Sequence, residues 1–100
     1  PPFQLRVEFT GGTETFDLAP GEYLVGRGED CDLRLNELGL SRRHARLLVT
    51  ADRVQLVDLG STNQTFLEGE RLLPDLPTAV SPGAEIRFAA LRAVLAQGAG

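Results

Sequence analysis

The first apolar residues of the chain fall on every second position, with Phe3, Leu5, Val7 and Phe9 on one face and Gln4, Arg6 and Glu8 between them. A period of two is that of a half-buried strand, whose successive side chains point to opposite faces of a sheet. Shorter runs repeat the pattern: TETFDL, EYLVGR, DLRL, ARLLVT, RVQLVDL, TFLEG and EIRFAALRAVL. Gly11-Gly12 and Pro20-Gly21 read as hairpin-like connections, and Ala51-Asp52, Glu68-Gly69 and Ser81-Pro82-Gly83 as further turns. Short strands separated by such turns predict an all-β, antiparallel sandwich or barrel. AALRAVLAQ has helix propensity, but it also alternates, and a sandwich needs its last edge paired; it is read as a terminal strand. LLPDLPTAVSPG is the longest irregular stretch, and its three prolines predict an ordered loop.

One hundred residues are read as a single domain spanning 1–100, large enough to bury a core. The chain begins with proline and contains no methionine, so the expectation is a fragment of a longer protein. No apolar run approaches the roughly 20 residues of a membrane helix. A net charge of −4 argues against nucleic acid or an anionic membrane as a partner, so any anion site has to be local. The single cysteine, Cys31, excludes an internal disulfide, and with the single histidine, His44, it leaves too few ligands for zinc. No metal is expected, and both facts fit a reducing cytoplasm. Cys31 reads as a small buried or half-buried residue.

Three stretches interrupt the alternation: GRGEDCDLRL, LSRRHARL and DLGSTNQTFLEG. Loops cluster at the ends of a sandwich, so segments distant in sequence can meet there. Arg27 offers a planar two-pronged donor, Ser41 a hydroxyl and Arg42 a second cation, which together describe a phosphate site. Thr62 and Asn63 suit a different task, since an amide can donate to one main-chain group and accept from another. Singly, each has a plainer reading: Arg27 as a solvated charge, Ser41 as a turn hydroxyl, RRHAR as a basic strand edge. Ser41 or Ser61 with His44 and Asp58 supplies the residue types of a hydrolytic triad, but no Gly-x-Ser-x-Gly elbow accompanies them, and a structural histidine is the better reading. The cluster Arg42, Arg43 and Arg46 lacks interleaved aromatics, which disfavours nucleic acid. The Asn63-Gln64-Thr65 sequon needs a secreted chain to matter.

Gly26-Arg27, then Ser41-Arg42-Arg43-His44, then Asp58-Leu59-Gly60-Ser61-Thr62-Asn63-Gln64-Thr65-Phe66 and Gly69 resemble the forkhead-associated (FHA) domain. The resemblance implies a sandwich of about eleven strands whose loops at one end bind phosphothreonine peptides. It implies that Arg27 and Ser41 hold the phosphate, with Arg42 beside them, and that Thr62 and Asn63 hold the peptide backbone. Gly26, His44, Asp58 and Ser61 would support the site, and Phe66 would return the chain to the core. The implied function is a non-catalytic, cofactor-free, monomeric cytoplasmic module that binds the product of a Ser/Thr kinase; a phosphate-independent scaffold is the alternative. Gln64 stands where the family has glycine, so either the turn is shifted or strain is tolerated there. Leu38-Gly39-Leu40 carries no charge, which by resemblance implies an apolar or weak preference, rather than an acidic one, three residues after the phosphothreonine.

Overall fold

The computed structural model of the chain describes residues 2–98. Eleven strands run in order: β1 (Phe3–Phe9), β2 (Gly12–Leu18), β3 (Gly21–Gly26), β4 (Leu33–Arg34), β5 (Ala45–Val49), β6 (Val54–Asp58), β7 (Thr65–Leu67), β8 (Glu70–Arg71), β9 (Thr78–Val80), β10 (Glu85–Phe88) and β11 (Leu91–Gln97). They form a six-stranded sheet, ordered β2-β1-β11-β10-β7-β8, and a five-stranded sheet, ordered β4-β3-β5-β6-β9. The all-β sandwich expected from the alternation is the fold observed.

The two sheets meet over one apolar core. Phe3, Leu5 and Val7 of β1, Leu47 of β5, Leu56 of β6, Ile86 and Phe88 of β10 and Leu95 of β11 are all buried in it. Each comes from alternate positions of its strand, so the period of two places one face inside and leaves the other to solvent. The terminal segment is a strand, as the alternation favoured: β11 lies between β1 and β10 and pairs with both.

Four details differ from the sequence reading. Pro20-Gly21 is not a hairpin, because β2 and β3 belong to different sheets and the turn carries the chain across the sandwich. β4 runs parallel to β3, so the second sheet is mixed. EIRFAALRAVL is two strands, folded back at Ala89-Ala90 with Phe88 opposite Leu91. No Gly or Pro marks that turn, and Ala89 takes φ 58°. Last, the stretch read as a loop, 72–83, contains the short strand β9.

Strand direction determines which loops gather. β3 ends at Gly26 and β6 at Asp58, while β5 begins at Ala45, and Ala45 is opposite both Val25 and Asp58. The β3–β4, β4–β5 and β6–β7 connections therefore emerge at one end of the sandwich, carrying all three polar stretches with them.

Candidate functional site

The three loops are joined by main-chain contacts that only a glycine permits. A Cβ at Gly26 would lie 2.3 Å from the carbonyl oxygen of Arg42 and 2.9 Å from that of Ser41. Its absence lets β3 close on the Ser41-Arg42 segment, where the Arg27 amide donates to Ser41 O (3.1 Å) and the Gly28 amide to Arg42 O (3.0 Å). Arg42 O also accepts from the half-buried thiol of Cys31 (2.9 Å).

His44 is fully buried beneath this junction, with its ring edge-on to Phe88. Its Nδ1 accepts the Ser41 amide (3.1 Å), and its Nε2 lies 2.9 Å from the Gln64 carbonyl oxygen. One partner can only donate and the other can only accept, so the ring is the neutral Nε2–H tautomer. Burial lowers the His44 pKa, against the opposing pull of the Gln64 carbonyl and the Asp58 charge. Both ring nitrogens are committed to backbone groups, so the ring serves neither serine as a base. His44 thus ties the β4–β5 loop to the β6–β7 loop.

Asp58 organises the second of those loops. It is buried at the end of β6, and its Oδ2 accepts the Gly60 (3.0 Å) and Ser61 (3.2 Å) amides. Its Oδ1 accepts the hydroxyls of Ser61 (2.5 Å) and Thr65 (2.7 Å). Burial acts to raise the Asp58 pKa, but the Ser61 and Thr65 hydroxyls and the two amides outweigh it, and the pKa lies below the ordinary aspartate value. Thr65 is fully buried, whereas Phe66 is half-buried. Phe66 alternates with Thr65 and lies opposite Arg87 on the outer face of its sheet, so Thr65, not Phe66, is the residue that turns inward.

Gln64 settles the question raised by its position. It keeps φ at 73°, the left-handed value that favours glycine, so the turn is not shifted. Its carbonyl is held from two sides, by His44 Nε2 and by the Ala89 amide (2.9 Å).

The exposed groups lie on this frame. Arg27 donates from Nε to Leu40 O (3.2 Å), which leaves both Nη groups available. Arg27 and Arg42 line an open pocket of about 580 Å³ together with Arg34, Asn36, Glu29 and Asp30. Ser41 lies outside that lining; its Oγ accepts the Thr62 amide (3.0 Å). The Asn63 side chain donates to Gly39 O (2.9 Å) and so bridges to the β4–β5 loop. The nine residues predicted for the site, Gly26, Arg27, Ser41, Arg42, His44, Asp58, Ser61, Thr62 and Asn63, thus all fall at one end of the sandwich. Gln64 and Thr65 were missed as supports; only the spacing from Asp58 could have signalled Thr65. Among the described residues, no group of three His, Cys, Asp or Glu could hold a metal ion.

The family model of the FHA domain matches residues 23–89. FhaA of Mycobacterium tuberculosis, an FHA domain-containing protein, is 40% identical over 55 residues, covering 55% of this chain and 10% of its own length. The oxoglutarate dehydrogenase inhibitor of Corynebacterium jeikeium is 35% identical over 74 residues, covering 74% of this chain and 49% of its own. The chain therefore spans half or less of the length of these relatives. A solved structure described as a study of phosphothreonine-dependent FHA domain interactions superposes with a TM-score of 0.87 at 26% identity, covering 100% of both chains.

Proposed function

Since the chain belongs to the FHA domain family, we propose that it is a non-catalytic module that binds phosphothreonine-containing peptides or proteins after a kinase has acted on them. One observation carries the proposal: Arg27, Ser41 and Arg42 are held around the same main-chain junction, with the Arg27 Nη groups free to donate. A phosphothreonine carries about −1.5 to −2 charge and three acceptor oxygens, which two guanidiniums and a hydroxyl satisfy. Arg27 and Ser41 take the phosphate, and Arg42 takes the phosphate or the adjoining peptide. Thr62 and Asn63 present the peptide side of the site; Asn63 donates to Gly39 O and retains its Oδ1 for a main-chain N–H. Gly26, His44, Asp58 and Ser61 act only through the geometry they impose. A cytoplasmic setting, where kinases have ATP, belongs to the same proposal, as does a monomeric domain.

The scaffold alternative calls for apolar residues exposed on a sheet face. The large hydrophobic residues most exposed, Leu38, Leu73 and Leu76, lie on loops instead, and Leu24 and Leu48 on the five-stranded sheet are half-buried. Leu38 is 90% exposed in the β4–β5 loop, which fits an apolar contact with the peptide beyond the phosphothreonine.

The test is calorimetric titration with one peptide in its phosphothreonine and unmodified forms. Binding of the phosphorylated form alone, weakening as salt is raised, supports the proposal. Equal affinities overturn it.

A further inference from the structure

The chain has fourteen carboxylates, and all ten of its cationic side chains are arginines. With acids in excess, a pocket that gathers several arginines facing no carboxylate is the informative feature. Among the described residues, Arg43 pairs with Asp30, Arg87 with Glu85, and Arg92 with both Glu85 and Glu8. Arg6, Arg27, Arg34, Arg42, Arg46, Arg53 and Arg71 pair with none, and three of these seven, Arg27, Arg34 and Arg42, line the same pocket. Phosphate binding accounts for two of them. Arg34 is the third.

Its placement is well determined by the strand that bears it. Leu33 and Leu35 on either side are buried, so alternation directs Arg34 outward. β4 pairs Arg34 with Gly26, one residue from Arg27, and Arg34 Nε donates to Arg27 O (3.3 Å). That bond fixes the guanidinium beside Arg27 and leaves its Nη donors unused. The acidic residues of the pocket do not cancel it, because Asp30 is engaged by Arg43 and only Glu29 remains. Arg27, Arg42 and Ser41 already supply donors for the three oxygens of one phosphate, so the Nη donors of Arg34 are left for another acceptor, and the open pocket of about 580 Å³ gives that acceptor room.

We infer that Arg34 receives a second anionic group of the ligand, a carboxylate or a second phosphate close in sequence to the phosphothreonine, and so sets a sequence preference. The inference rests on the phosphothreonine reading above. It concerns the pocket on the β3–β4 side of the site, whose lining does not include Leu38.

Fluorescence anisotropy with labelled peptides tests it. The set is a phosphothreonine peptide with alanine at the flanking positions, its unphosphorylated form, a series with glutamate at each flanking position in turn, and the same series with phosphoserine. The expected result is one position at which an acidic group tightens binding by about three- to tenfold, with that ratio falling to near one in Arg34→Gln. The glutamate and phosphoserine series distinguish the two sources of charge. A ratio that persists in Arg34→Gln, or the absence of any favoured position, overturns the inference while leaving phosphothreonine binding in place. If the wild-type domain does not prefer the alanine-flanked phosphopeptide to its unphosphorylated form, both readings fall. A thermal melt of Arg34→Gln matching wild type assigns the change to contact rather than to folding.

Discussion

The imidazole of His44 spans from the Ser41 amide to the Gln64 carbonyl, so one buried ring holds together two loops 20 residues apart. Replacing it by alanine removes both bonds and opens a cavity against Phe88. His44→Ala is expected to cost about 2–4 kcal/mol of stability and to weaken phosphopeptide binding, read by denaturant unfolding and by titration.

The same ring makes stability depend on pH. The folded state holds His44 neutral with its pKa below the ordinary 6.5, so as pH falls past 6.5 the unfolded chain takes up a proton that the folded chain does not. Stability from this group is complete above 6.5 and declines as pH falls toward the folded pKa. Asp58, whose folded pKa is also lowered, adds a further loss only below its ordinary 3.8. Urea midpoints measured from pH 7.5 to 5 should fall, and His44→Asn should flatten that slope.

Gly26→Ala places a methyl group 2.3 Å from Arg42 O, a contact that forces β3 away from the loop carrying Ser41. The expected cost is about 1–3 kcal/mol, with loss of peptide affinity because Arg27 and Ser41 separate. Thermal melting and titration of the same sample check both effects.

Gln64→Gly acts in the opposite direction. Releasing a non-glycine residue from φ 73° gains about 1–2 kcal/mol, part of which the greater freedom of unfolded glycine returns. A net gain of about 0.5–1 kcal/mol is expected in chemical denaturation. Because His44 and Ala89 hold only the carbonyl of residue 64, peptide affinity should be retained.

Arg27→Ala isolates recognition from folding. The side chain is exposed and bonded inside the chain only to Leu40 O, so the melting curve should change little. Affinity for the phosphopeptide should fall by about tenfold to a hundredfold, the value of a charged hydrogen bond lost.

The strands were legible because a sheet with one buried face writes its period directly into the chain; β1 follows from alternation alone, and β11 from alternation together with the need to pair the last strand. The Ala89-Ala90 turn was not, because the Gln64 carbonyl that receives the Ala89 amide lies 25 positions away and neither alanine is a turn former. The site was legible as a set of residues, through the spacing of three motifs, but less so as atoms. Thr62 joins it through its amide, and the Asn63 side chain bonds Gly39 within the protein. Arg34 gave no sign in the sequence, since what sets it apart is the pocket it shares with Arg27 and Arg42, a property of the folded surface.

The bond from the Thr62 amide to Ser41 Oγ has a consequence for the kind of ligand the domain accepts. The Thr62 amide occupies one lone pair of that oxygen and leaves the Ser41 hydroxyl its proton to donate. Arg27 and Arg42 can only donate. Such a surface favours a phosphate stripped of its last proton, and the second ionisation of a phosphothreonine lies near pH 6. If the domain binds phosphothreonine as proposed, it discriminates between two ionisation states of one modified residue, and mild acid opposes binding twice, by loosening His44 within the fold and by protonating the ligand outside it.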